Sequence, residues 1–227
     1  MEASKRSGRV KILLILVIIL FMPGFFYFFL KSGGVNQYVS LPFYGTVTQE
    51  GQLPVAVPSI PQMNVNGEEV LVPFQDSTLS VVNFFYTQCP QFCGRMNAEV
   101  LYLADRFSKS QLLNFYSLSL DASDTPEDLQ DYIQSNGFRR DNWHFFTGEE
   151  GGIALLSRNR YMLDALVDST QETSIIHTPM LVLLDADNHI RGYYDSTNKK
   201  EVERLQDELM VLLAETRRNN SNHDINR

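Results

Sequence analysis

"LSVVNFFYTQCPQFCGRM", residues 79–96, joins a β-prone run to the only two cysteines of the chain, Cys89 and Cys93. Leu79 to Tyr86 is a continuous β-prone run rather than a strict alternation, the pattern of a strand covered on both faces. Beyond Cys93, the residues Met96, Val100, Leu103, Ala104 and Phe107 recur at helical spacing, so a helix starts at or just after the cysteines. A strand end, two sulfurs and a helix start therefore coincide. In α/β sheets ligands gather beyond the carboxyl ends of strands, and the positive end of a helix favours a thiolate there.

Outward from this stretch, "LNFYSLSLD" predicts a second strand ending at Asp121. In "DTPEDLQDYIQ", Thr125 is placed as N-cap, Pro126 at the first helical position and Asp128 in the first turn. Leu129, Tyr132 and Ile133 then form the buried face of that helix. A further short helix is expected over residues 151–167. "PMLVLLDADNHIRGYYD" follows as two strands joined by a turn at Asp187 and Asn188. Residues 199–216 make an amphipathic helix on Val202, Leu205, Leu209, Leu212 and Leu213, and the polar tail 216–227 is expected to be disordered. Upstream, "MNVNGEEVLVPF" reads as a hairpin turning at Asn66-Gly67. Strand, helix, strand, helix, extra helix, strand, strand, helix is an α/β order with a mixed sheet, that of a thioredoxin-like domain.

At 227 residues there is room for one such domain and an appendage. Residues 12–30 run without a charge and are long enough to span about 30 Å of hydrocarbon. Lys5, Arg6, Arg9 and Lys11 precede them, which places residues 1–11 in the cytoplasm and the body outside it, on the periplasmic side in a bacterium. The run exceeds a signal-peptide core and no small-residue cleavage site follows, which favours an anchor over a cleaved signal. Residues 31–50, rich in Gly and small polar residues, are read as a tether, and 51–215 as the domain. A net charge of −8 argues against nucleic acid or an anionic bilayer as a partner.

Two cysteines outside the cytoplasm can be a staple, a redox pair or part of a metal site. A staple here would close a loop of only a few residues, which limits its value. A disulfide needs Cβ atoms about 3.5–4.5 Å apart, closer than i,i+4 positions on a helix, so it requires Cys89 in the turn ahead of the helix. The wider spacing leans toward a metal. Of the four histidines, His223 in the tail and His189 in the hairpin turn are expected to be solvated, and His144 to pack. His177 precedes the strand that this topology places beside the cysteine-bearing one, at the same sheet edge. Two thiolates and an imidazole suit Cu(I), or Cu(II) with an added ligand, whereas Zn(II) usually takes a fourth.

Together these residues resemble the Sco/SenC family of membrane-tethered, thioredoxin-like copper proteins that help assemble cytochrome c oxidase. "YTQCPQFCGRM" is similar to its T-x-C-P-x-x-C segment, with Thr87, Cys89, Pro90 and Cys93; "SLDASDTPEDLQDY" resembles its D-P-x-x-D-T-P stretch, with Asp121, Asp124, Thr125 and Pro126. "HTPMLVLLDADNHI" resembles the segment carrying the family's histidine ligand, which puts that role on His177. Gly94, Ala122 and Ile176 depart from the pattern, where the family often has proline, proline and an acid. The resemblance implies copper held by Cys89, Cys93 and His177, with Asp121 and Asp124 behind the site or at a docking face. It also implies transfer to the copper-bearing subunit of cytochrome oxidase or to another copper or thiol protein. The alternative is a thiol-disulfide oxidoreductase in which Cys89 attacks and Cys93 resolves. Thr178-Pro179 strengthens it by resembling the cis-proline beside the dithiol of thioredoxin-type reductases. A peroxidase of related fold is disfavoured, because no arginine is placed beside Cys89 and Arg95 is expected to be exposed.

Overall fold

The continuous β-prone run becomes strand β3 (Leu79–Phe85), buried at every position, Ser80 and Asn83 included. The computed structural model describes residues 15–25, 41–47, 52–73, 78–147, 157–163, 165–168 and 174–225. The chain divides into two units, Met1–Ser40 and Leu41–Arg227. In the first, residues 15–25 form helix α1 with exposed apolar side chains. Among the described residues no helix is long and apolar enough to cross a membrane. The remainder of the expected span over 12–30 lies outside the described residues.

The second unit runs β1 (Ile60–Asn64), β2 (Glu69–Val72), β3, α2 (Cys93–Arg106), β4 (Leu113–Ser119), α3 (Pro126–Asn136), β5 (Trp143–Thr147), β6 (Ala165–Asp168), β7 (Ser174–His177), β8 (Met180–Leu184), β9 (Ile190–Asp195) and α4 (Lys199–Ile225). Seven strands form one sheet in the order β2-β1-β5-β4-β3-β8-β9, and β6 and β7 pair only with each other. β3 lies parallel to β4 and antiparallel to β8, and β4 parallel to β5, so the sheet is mixed as expected. Alternate residues of β3 point to opposite faces. Val81 and Phe85 join one cluster with Met96 and Val100 of α2, Leu129 of α3 and Leu205 and Leu209 of α4. Val82 and Phe84 join the other, closed by Val57, Tyr161 and Leu163 from connecting segments.

Helix α3 starts as its sequence dictates. The Thr125 hydroxyl accepts from the Asp128 N–H, the Asp128 carboxylate accepts from the Thr125 N–H, Pro126 stands in the first turn, and Gly137 ends the helix at φ 68°. The first hairpin turns at Asn66-Gly67, with Gly67 at φ 75° and the Asn64 side chain accepting from the N–H groups of Asn66 and Glu68. The second turns at Asp187-Asn188, with Asn188 at φ 62°.

Four expectations are corrected. The expected element order omits "WHFFT", a stretch that reads as a strand or turn and is a full strand, β5, flanking β4. The helix expected over 151–167 is described as one turn at 157–159 followed by strand β6; residues 148–156 lie outside the described part. The domain begins before residue 51: Leu41 is buried and Tyr44 bridges Ile190 of β9, because the Arg191 guanidinium donates to the carbonyls of Leu41 and Pro42. Finally α4 runs through Ile225, past the disordered tail expected from residue 216. Extending an existing helix gains one hydrogen bond per residue fixed and needs no new nucleus, even where no apolar face remains.

Candidate metal centre

β3 ends at Phe85, Thr87 and Gln88 turn, and α2 opens at Cys93. Cys89 therefore sits in the turn ahead of the helix, half-buried, while Cys93 occupies the first helical position and is buried. The N-cap residue, Phe92, offers no side-chain acceptor, and no acidic residue stands in the first turn. The Cys89 sulfur takes that role, accepting from the N–H groups of Gln91 and Cys93.

His177, the last residue of β7, brings its Nε2 to 3.3 Å from Cys93 Sγ and 3.9 Å from Cys89 Sγ. One ligand atom from each of the three residues lies within 4.8 Å of the others. The imidazole is held by packing: its centroid is 4.5 Å from that of Phe92 and 5.7 Å from that of Tyr86. Its Nδ1 is buried and has no hydrogen-bond partner among the described residues.

The two sulfurs are unequal. Cys89 is lowered to about 3, chiefly because the Cys93 S–H donates to it, with the His177 ring and the two backbone N–H groups adding and burial opposing. Cys93 is pushed strongly up, because it is the donor in that pair and because it is buried. The metal-free, reduced pair is thus a Cys89 thiolate beside a Cys93 thiol. Tyr86 also hydrogen-bonds Cys89 through its hydroxyl, and burial together with the sulfurs pushes it up to about 12.

Asp124 is buried and ties the turn to the next loop, accepting from the Thr87 N–H at 3.0 Å and from the hydroxyls of Thr87 and Ser119. Asp121 instead closes its own turn, accepting from Ser123 N at 2.8 Å and Ser123 Oγ at 2.6 Å. Pro179 offers its carbonyl to Ser196 N and Oγ, at 2.9 and 2.7 Å. The cis peptide among the described residues joins Val72 to Pro73, so Thr178-Pro179 is trans and differs from the thioredoxin-type proline it resembles. Arg95 is exposed and donates to the Thr197 carbonyl, 3.0 Å away.

His144 packs as expected, 5.7 Å from the Tyr116 ring. His189 does not stay in solvent: its N–H donates to Asp185 at 2.9 Å and its ring meets Phe43 edge-on. The side chain of His223 lies outside the described residues. Asp185, Asp187 and His189 form a second cluster of donor atoms, but Asp185 is already committed to Arg191 at 3.0 Å and to the backbone of its own turn. Sequence reasoning missed Tyr86, Phe92 and Ser119. Tyr86 and Phe92 flank the cysteines in sequence, and that adjacency was the available signal.

A family model described as SCO1/SenC matches residues 62–212, spanning the sheet, both cysteines and His177. The chain belongs to the SCO1/SenC family. Its fold is similar to that of a SCO1/SenC family lipoprotein from Bacillus anthracis, at 21% identity and a TM-score of 0.62, over 69% of this chain and 94% of that one. It is similar to BsSco, a member of the Sco family of cytochrome c oxidase assembly proteins known for a disulfide switch, at 19% identity and a TM-score of 0.59, covering 73% and 99% of the two chains. It is also similar to Bradyrhizobium japonicum ScoI with copper bound, at 21% identity and a TM-score of 0.54, covering 70% and 99%. No curated protein matches the chain. In this SCO1/SenC chain the Cys-Cys-His convergence therefore sits on the family's thioredoxin-like α/β fold with a mixed sheet.

Proposed function

We propose that this chain is a membrane-anchored, extracytoplasmic copper carrier that serves assembly of the copper centre of cytochrome c oxidase. The observation that carries the reading is the convergence of Cys89, Cys93 and His177, whose donor atoms lie within 4.8 Å of one another. Two sulfurs and one imidazole form a soft, low-coordination set suited to Cu(I). Solved Sco proteins with copper bound, on the same fold, support copper as the cargo. Cys89 is a thiolate and ready to ligate, whereas Cys93 must release its proton when copper enters, so loading is favoured by rising pH. Both thiols must be reduced for loading, and delivery proceeds by ligand exchange with thiols or imidazoles of the acceptor, a copper-bearing oxidase subunit. Residues 12–30 are the anchor and residues 1–11 the cytoplasmic end in this reading, with the domain on the far side of the membrane. Asp124 acts as a positioning residue through Thr87, and Asp121 and Pro179 border the site without touching the sulfurs.

The unequal sulfurs favour one second reading, a thiol-disulfide oxidoreductase. The Cys89 thiolate would attack a partner disulfide and expel one partner thiolate; Cys93 would then resolve the mixed disulfide, leaving Cys89–Cys93 oxidised and the partner as two thiols. The deciding experiment is titration of Cu(I) into the reduced chain against a competing chelator, beside Cys89→Ala and His177→Ala. One-to-one binding weakened by either substitution supports the carrier. Weak binding indifferent to His177→Ala sinks it and leaves the dithiol exchanger.

A further inference from the structure

Helix α2 opens at Cys93 and α4 at Lys199, and both first turns carry cations. Arg95 is the third residue of α2, Lys199 and Lys200 are the first two of α4, and all three are exposed. The positive end of a helix dipole disfavours a cation, and acidic residues are the stabilising occupants of such a turn. The first turn of α2 has no acid, and that of α4, Glu201, is drawn to Arg204. Among the described residues no carboxylate ion-pairs with Arg95, Lys199 or Lys200. Glu99 and Glu203, the next acids, stand one turn further along the two helices. In a chain of net charge −8, cations thus collect where local stability is least served by them.

Hydrogen bonds join these cations to the supports of the metal centre. Arg95 follows Cys93 by two residues and donates to the Thr197 carbonyl at 3.0 Å, which fixes the start of α4 beside the start of α2. Ser196, next to Thr197, donates from its N–H and its hydroxyl to the carbonyl of Pro179, two residues beyond His177. Asp195 is turned back on Thr197, whose N–H and hydroxyl donate to it, and Asp121 is turned on Ser123 in the same way. The cationic surface is therefore continuous with Cys93 and His177.

We propose that Arg95, Lys199 and Lys200 form the docking surface for an acidic face of the protein that takes copper from Cys89, Cys93 and His177. The inference rests on the carrier reading of that site and adds to it the charge the acceptor presents around its own copper position. A protein is favoured over a lipid surface, because docking on a bilayer through this end would press the metal ligands against it and close the route of ligand exchange. Complementary charge raises the rate of encounter about tenfold or more and orients the partners before contact. Cations held at two helix starts lower local stability and serve that encounter instead.

The test uses the full chain in detergent, reduced and metal-free, with the soluble copper-bearing domain of the cytochrome oxidase subunit as probe. Lysine acylation followed by mass spectrometry reads the footprint. The probe should slow Lys199 and Lys200 several-fold and leave the exposed Lys109, beyond the far end of α2, unchanged. Association followed by stopped flow should slow about tenfold or more with salt, as the Debye length falls from about 30 Å at 0.01 M to about 3 Å at 1 M. Lys199→Gln with Lys200→Gln should slow it several-fold at low salt without lowering the thermal midpoint or the Cu(I) affinity. Equal acylation rates with and without the probe, or an association indifferent to salt and to the double variant, would overturn the proposal. So would slowing of Lys199 and Lys200 by phosphatidylglycerol vesicles alone, which would assign the surface to lipid. Failure of the carrier reading shows separately, as a reduced chain that binds no Cu(I) in the chelator titration, whereas a chain that binds Cu(I) and shows no footprint refutes the docking alone.

Discussion

The inequality of the two sulfurs has a kinetic signature that can be worked out before it is measured. An ordinary cysteine ionises near pH 8.5, so its alkylation rate falls roughly a thousandfold between pH 8 and pH 5 as the thiolate disappears. Cys89, lowered to about 3 by the Cys93 S–H, the His177 ring and the open helix end, should stay ionised throughout, with a nearly flat profile. Its absolute rate is not expected to be high. With nucleophilicity falling by about 0.4–0.5 log units per pH unit of lost basicity, its thiolate should react roughly three-hundredfold more slowly than an ordinary one. Cys89 is therefore slower than a free cysteine at pH 8, and the two cross near about pH 6. The assay is iodoacetamide labelling of the reduced, metal-free chain, following Cys89 by mass spectrometry.

Cys93→Ala removes the largest cause of the lowering and should move the inflection up further than His177→Ala does. A log rate that rises with unit slope from pH 5 to pH 8 in the unsubstituted chain would refute the argument. The same asymmetry fixes the sign for stability. The contribution of Cys89 is present above the unfolded thiol value and lost as pH falls toward about 3, so it raises stability with pH across that window. Cys93, shifted up, opposes only above about pH 8.5, where the unfolded thiol ionises.

Asn97→Leu should leave the Asn83 amide and the Tyr132 hydroxyl without their partner in a buried network, at a cost of about 2–4 kcal/mol, read as a lower urea midpoint with an unchanged slope. Asp124→Ala should cost about 3 kcal/mol by stranding the Thr87 N–H and the Thr87 and Ser119 hydroxyls. It should also weaken Cu(I) binding, whereas unchanged affinity in a folded variant would show that the Thr87 turn does not position Cys89. Gly192→Ala should destabilise by about 1–3 kcal/mol, since a Cβ there would overlap the Tyr194 hydroxyl that donates to Glu208, and thermal melting would show it.

What could be read from the sequence followed from how each residue reports its surroundings. Strand β3 was legible because a strand with neighbours on both sides and cover on both faces is apolar and β-prone at most of its positions, with only Ser80 and Asn83 polar. The α3 start was legible because Thr125, Pro126 and Asp128 act on the backbone within a single turn. Strand β5 was not: "WHFFT" has only five residues, and it becomes a strand through parallel pairing with β4, distant in sequence. β6 and β7, four residues each, pair only with each other, so neither carries the pattern of a sheet packed on the core. Asn83 and Asn97 are the sharper case. Each looks like a polar interruption, yet Ser117 donates to Asn83 at 2.7 Å, Asn83 to Asn97 at 3.0 Å and Asn97 to Tyr132 at 3.1 Å. No local pattern announces a network whose members come from four different elements.

The departures from the family pattern bear on the site in the same way. Gly94 and Ala122 are exposed, and a Cβ at Gly94 would meet nothing within 4 Å, so proline is absent there without any steric reason from the site. Cys93 and Asp124 are buried, and Thr87 is bonded to Asp124. Residues that hold the sulfurs are thus fixed by what surrounds them, and Gly94 and Ala122, which differ, face solvent. The sulfurs are also built into the core, with Cys93 packed in the same cluster as Phe85 and Met96, whereas His177 arrives on a two-stranded ribbon outside the main sheet. If the chain carries copper as proposed, His177 is the ligand whose departure would break no ladder hydrogen bond of the seven-stranded sheet, at the cost of its packing on Phe92 and Tyr86.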